Sequence, residues 1–384
     1  MFDLVIRGGT VVTASDSATC DVGIRDGRVA AIGEHLQAAG KEIDARGKLV
    51  LPGGVDAHCH VAQKSSSGLM TADDFYTAGL SAACGGTTTI IPFAAQHRGQ
   101  SLRSVVREYH QRAEGKALVD YAFHLIVSDL SGDNLSDELP ALVRDGYASF
   151  KVFMTYDALR LTDRQLLDVF ALARREGALV MVHAENHDAI AWLTDQLLLE
   201  HRTTPKFHAA SRPPGVEAEA VHRAIALAEL AEVPVVIVHV SSNEALQEIC
   251  AARARGARVF AETCPQYLLL TADDLDRPGF EGAKYVCSPP LREKFDQDAL
   301  WQAVADGVFD IISSDHAGYR FDDPKGKKAH GDRAPFTKIP SGVPGLETRL
   351  PLLYSEGVGR GRLRLNAFVA LTATNPAPLF GLYP

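Results

Sequence analysis

The sequence predicts an α/β protein, a (β/α)8 TIM barrel with a small N-terminal β-sheet subdomain. Three observations carry that expectation. From residue 50 onward, eight apolar, strand-like runs follow one another along the chain. Longer segments with helical periodicity separate them. No Gly-rich phosphate fingerprint follows the early strands, which argues against the competing doubly wound sheet.

Taken in order, residues 2–50 alternate apolar stretches with turn signals: "LVIRGGTVV", "DVGIRDGRVAAIG" and "KEIDARGKLVL", broken by Asp-Gly and Gly-Gly. Such a rhythm reads as short antiparallel strands, and residues 1–50 are assigned to a partial β-sandwich. Residues 51–384 are assigned to the barrel. Its strands are expected in "VLPGGVDAHCH", "TTTIIPFA", "DYAFHLIVSD", "ASFKVFMTY", "ALVMVHAEN", "VPVVIVHVSS", "RVFAETCPQYL" and "FDIISSDHAGY". Between them, "DRQLLDVFALARREG" and "EAEAVHRAIALAELAE" repeat apolar residues with the period of a helix. Neither an internal repeat beyond this alternation nor a low-complexity tract is visible.

With 384 residues, 46% of them hydrophobic, the chain can bury a large core. Its net charge of -9 comes from interspersed acids and bases. No basic stripe offers itself to nucleic acid and no polybasic segment to anionic lipid, so a small molecule is the expected partner. The six cysteines, at 20, 59, 84, 250, 264 and 287, form no C-x-x-C pair and no compact framework. They read as reduced thiols, which fits the cytoplasm. The start, "MFDLVIRGGT", lacks the charge and apolar core of a secretory signal, and no apolar run is long enough to span a bilayer.

In such barrels chemistry gathers at the C-terminal ends of the strands. His58 and His60 end the first, spaced so that both face one way and Cys59 the other. Lys151 lies in the fourth, His183 ends the fifth, His239 the sixth and Asp315 the eighth. Each alone has an ordinary structural reading: a hydrogen-bonded core histidine, a capping aspartate, a snorkelling lysine. Jointly they would meet at one spot. Four imidazoles and a carboxylate exceed what one tetrahedral ion takes and suit two divalent ions. A charged lysine would be repelled there. Lys151 fits if apolar packing keeps it neutral and carbon dioxide converts it to a carbamate, an anion with two oxygens to bridge the ions.

These residues sit in a wider set of motifs: "PGGVDAHCH", "TADDF", "GGTTTIIPFA", "SFKVFMTY", "HAEN", "VHVSS", "ETCPQYL", "CSPPLR", "SSDHA" and "FTKIPSGVPGLETR". With them the chain, from about residue 4 to its end, resembles the amidohydrolase superfamily and within it the dihydropyrimidinase and hydantoinase group of cyclic amidases. The resemblance implies metal-dependent hydrolysis of the cyclic amide of hydantoins or dihydropyrimidines to N-carbamoyl amino acids. It implies one ion on His58, His60 and Asp315 and the other on His183 and His239, bridged by the Lys151 carbamate and a hydroxide. Asp315 would take the proton of the attacking water and pass it to the leaving nitrogen. Tyr156 would hydrogen-bond the developing oxyanion, and Ser288 and Ser341 would meet the substrate's amide edge largely through backbone groups. Zinc is the expected metal; manganese, cobalt and iron suit the same ligands.

The chain departs from the group at three places. The stretch after His60, "VAQKSSSGLM", is polar and one residue longer than the group's acidic and apolar loop. Ser341 replaces an asparagine. The chain stops at "NPAPLFGLYP", where members of the group continue with strands that complete the small sheet, so part of that subdomain is expected to be absent. The edge so exposed, together with the group's habit, implies a homo-oligomer, a tetramer or dimer. Dihydroorotase, allantoinase and cyclic imidase are the enzymatic alternatives. Dihydroorotases carry an arginine where Ala62 stands, and allantoinases lack "KVFMTY". A non-catalytic scaffold related to dihydropyrimidinase would not need the filled ligand positions.

Overall fold

The computed structural model describes residues 1–65 and 68–382. Ser66 and Ser67 of the polar stretch after His60 lie outside the described residues.

The small sheet contains β1 (Phe2–Val12), β2 (Ser17–Arg25), β3 (Arg28–Gly33), β4 (Ala38–Asp44) and β5 (Leu49–Val50), in the order β3-β2-β1-β4 with β5 also on β1. β2 and β3 form a hairpin turned by Asp26 and Gly27, whose φ angles of 52° and 72° suit its two-residue turn. β1 and β2 are antiparallel, as expected, but β4 and β5 run parallel to β1. That corrects the all-antiparallel expectation for residues 2–50: turn residues reveal where a strand ends, not beside which strand the next one enters.

The second sheet is parallel throughout. Its members are β6 (Gly54–Cys59), β7 (Thr87–Ala95), β8 (Asp120–Tyr121), β9 (His124–Ile126), β10 (Ser149–Phe153), β11 (Leu179–His183), β12 (Val235–Ile237), β13 (Val259–Thr263) and β14 (Ile311–Ile312). The path runs β6-β7-β9-β10-β11-β12-β13-β14, with the short β8 beside β7. A parallel bridge between Cys59 and His316, with His60 N–H donating to the His316 carbonyl at 2.7 Å, joins the first strand to the last. The sheet thereby curls into the (β/α)8 barrel.

Two strands are shorter than the sequence suggests. Pro265 has no N–H for a ladder and opens a short helix, Pro265–Leu269, so the run "ETCPQYL" stops being a strand at Thr263. Past Ile312 the pairing of β14 runs out: Ser313 N–H still donates to Thr263 O at 3.2 Å, but Ser314 N–H turns to Asp56 Oδ1 at 3.1 Å.

Helices close the outside. The helix Asp163–Glu176 starts at a capping box of Thr162 and Gln165 and stops at Gly177, which takes φ 73°. It turns Leu166, Val169, Phe170 and Ala173 inward, the period seen in the sequence. Barrel strands are buried on both faces, so Phe150 and Val152 are fully enclosed. Truncating Phe150 to alanine would cost about 3–5 kcal/mol. Among the described residues no helix is long and apolar enough to cross a membrane.

Candidate active site

Because β6 ends at Cys59, the period of two sends Cys59 into the core and His58 and His60 toward the mouth of the barrel. Both meet Asp315: its Oδ1 lies 3.1 Å from His58 Nε2 and 3.2 Å from His60 Nε2. Ligand atoms of the three fall within 4.8 Å of one another, a spacing that one cation could bridge. Burial opposes the charge on Asp315, yet the two imidazoles hold its carboxyl well below the usual range.

The remaining imidazoles come from the neighbouring strands. His183, at the end of β11, has its ring centroid 4.5 Å from that of His239, which lies 5.4 Å from that of His58. Burial lowers the pKa of His60, His183 and His239, and neutral rings are what a metal requires. His239 Nδ1 is buried and has no hydrogen-bond partner. A buried nitrogen left without a proton donor is costly in a site of this polarity, and a bound cation would satisfy it.

Lys151, only 1% exposed, places Nζ 3.2 Å from His58 Nε2 and within 4.9 and 5.3 Å of the Phe93 and Phe153 ring centres. Burial pushes its pKa down to about 8, with Asp315 and Glu262 opposing the shift. Burial thus favours the neutral amine, the form that carbamate formation demands.

The sequence reading gave no role to the residues that orient these ligands. Glu262, from β13, accepts from His58 Nδ1 at 2.6 Å and from the His239 amide at 3.2 Å. Gln63 accepts from His60 Nδ1 at 2.8 Å. Glu185 accepts from His183 Nε2 at 2.7 Å and is itself held by Arg212 at 2.6 Å. Each partner engages one ring nitrogen and turns the other toward the cavity: Nε2 of His58 and His60, Nδ1 of His183. The motifs "HAEN" and "ETCPQYL" contain both carboxylates; only Glu185, two residues past the strand-ending His183, carried a local signal.

Tyr156 follows β10 at φ 70°, and Asp315 and His239 also take left-handed backbone, at 48° and 41°. The Tyr156 ring lies 5.4 Å from that of His183 and under the Arg212 guanidinium at 5.3 Å. Burial raises its pKa to about 12, so the hydroxyl remains a proton donor. Ser288 Oγ and Ser341 Oγ are 2.9 Å apart. All the residues that the sequence singles out, His58, His60, Lys151, Tyr156, His183, His239, Ser288, Asp315 and Ser341, line one cavity of about 620 Å³.

Known proteins match this architecture. The amidohydrolase family profile covers residues 49–384. A D-hydantoinase of Ralstonia pickettii is 49% identical over 383 residues, which is 100% of this chain and 82% of the relative. A D-hydantoinase of Rhizobium radiobacter is 48% identical with the same coverage. The crystal structure of dihydropyrimidinase from Brevibacillus agri superposes with a TM-score of 0.95 at 48% identity, covering 99% of this chain and 82% of that one. With the barrel, the strand-end histidines and the match in agreement over nearly the whole length, the chain belongs to the amidohydrolase family.

Proposed function

We propose a residue-level account of how this cyclic amidohydrolase opens the ring of a hydantoin or dihydropyrimidine to give an N-carbamoyl amino acid. The observation that carries it is the meeting of four imidazoles, Lys151 and Asp315 at the floor of one cavity, supplied by strand ends far apart in sequence. The donor set of four imidazoles and a carboxylate, with the orphaned His239 Nδ1, fits two divalent ions. His58, His60 and Asp315 would hold one, His183 and His239 the other, and Lys151 as its carbamate would lie between. Zinc is the metal proposed. Such ions, when bound, make water nucleophilic at neutral pH and polarise a carbonyl.

The chain's own groups do the rest. The Asp315 carboxylate receives the proton of the attacking water and returns it to the ring nitrogen as the amide bond breaks. Tyr156, kept protonated by burial, donates to the oxyanion as it forms. The segments bearing Ser288 and Ser341 hold the substrate's amide edge. Glu185 and Arg212 keep His183 in one tautomer.

A preference for the D enantiomer of 5-substituted hydantoins is proposed from the likeness to D-hydantoinases. A cytoplasmic homo-oligomer is proposed from six unpaired thiols and from large exposed apolar side chains such as Trp192 and Leu199. Purified protein tested on dihydrouracil, hydantoin, 5-substituted hydantoins, cyclic imides, allantoin and dihydroorotate decides the matter. Ring opening of hydantoin or dihydrouracil is expected. Preferential turnover of dihydroorotate would overturn the assignment.

A further inference from the structure

Lys327 lies outside the metal site, yet it is 2% exposed. Its Nζ donates to the Val286 carbonyl at 2.9 Å and to the Pro340 carbonyl at 2.7 Å. Val286 O also accepts from the Gly342 amide at 2.9 Å. Among the described residues Lys327 makes no ion pair; its nearest π-face is Tyr319, with Nζ 5.9 Å from the ring centre. Its own amide donates to Arg320 O at 2.9 Å, which folds the segment around it back on itself. One side chain thus fastens three pieces of chain: the covering segment that carries Tyr319 and His330 to the cavity wall, the stretch leading to Ser288, and the stretch leading to Ser341.

We propose that Lys327 is a positioning residue for substrate binding: it sets the spacing between the Ser288 and Ser341 segments that grip the amide edge of the ring. The inference rests on the substrate-edge role given to those two segments above. Burial pushes the Lys327 pKa down to about 7. A neutral amine still has two N–H donors, which is the number that the two carbonyls need. The task therefore calls for a long side chain with two donors rather than for a charge.

Three variants separate that role from simple packing. Lys327→Met keeps an unbranched stem, one atom shorter, and loses both donors. Lys327→Gln supplies two amide donors without charge, and Lys327→Asn carries the same amide on a stem too short to reach. The methionine and asparagine variants are expected to raise KM for hydantoin about tenfold, the scale of one or two lost hydrogen bonds. Their kcat should stay within about twofold, because the reacting atoms are untouched. Glutamine should bring KM back to within about threefold of wild type. Asparagine carries the comparison if methionine does not fold. Equal KM in all three variants, or a fall in kcat alone, would overturn the role of Lys327. Should the wild type open no ring, the proposed function fails, and hydrogen exchange decides for Lys327. Faster exchange at residues 286–288 and 341–342 in the methionine and asparagine variants but not in glutamine supports it, and unchanged exchange in all three refutes it.

Discussion

Glu262 Oε1 stands 2.6 Å from His58 Nδ1, joining β13 to β6 across the barrel interior. The contact dictates that Nε2, not Nδ1, faces the cavity. Both side chains are fully buried, so water cannot substitute for either partner.

Glu262→Gln keeps the shape of that contact and removes its charge. Loss of such an orienting carboxylate typically weakens metal binding about 10- to 100-fold. Titration of metal-free protein with zinc, read by metal bound per chain, should show a shift of that size. Unaltered affinity would mean that Glu262 only fills space.

Lys151 gives a sharper test, since the proposed two-cation site needs its carbamate as the bridge. Lys151→Ala should lose at least one metal per chain and nearly all turnover. A short carboxylic acid in excess should restore part of both. Lys151→Arg should do no better, because a guanidinium stays charged and forms no carbamate. Two metals and wild-type turnover in either variant would make Lys151 a packing residue.

Asp315→Asn retains an oxygen for the proposed metal and discards the proposed base. Proton transfer by a placed base contributes about 10²- to 10⁴-fold, so kcat should fall at least that far while metal is partly retained. Near-normal kcat would exclude Asp315 as the proton carrier.

The buried Glu185 carboxylate predicts a fold that is sensitive to acid. Burial opposes its charge, but Arg212 and His183 outweigh burial and bring its pKa to about 2. A carboxylate with a depressed folded pKa contributes stability that is complete above its unfolded pKa, near 4.3, and is lost as pH falls through the folded value. For this buried pair the contribution is on the order of 3 kcal/mol. Wild-type stability should therefore drop between about pH 4.3 and about pH 2. Denaturant unfolding across that window should show a flatter pH dependence for Glu185→Gln. Parallel curves for the two proteins would remove Glu185 from the account.

How much of this was legible in the sequence follows from the range of each interaction. The strand ends and their ligands could be read because a period of two and a parallel barrel fix both the side and the end at which His58, His60, Lys151 and His183 project. Glu262 could not be assigned. Its partner is 204 residues away, and nothing local distinguishes it from any polar residue on a buried strand. Arg212 is similar: it lies 27 residues beyond Glu185, in a loop without periodicity. The parallel entry of β4 beside β1 was hidden for the same reason, since hairpin signals report only on neighbours in the chain.

The left-handed backbone at Tyr156, His239 and Asp315 also governs how this site could be altered. In that region of φ the Cβ of most L-residues crowds the following carbonyl, at roughly 1–2 kcal/mol, and β-branched residues fare worst. Aspartate and asparagine tolerate it; valine, isoleucine and threonine do not. Saturation libraries at these three codons would therefore be filtered twice, first by backbone and only then by chemistry. Random variation is consequently better spent on cavity walls such as Leu159, Ile190 and Thr194, which carry no such conformational demand.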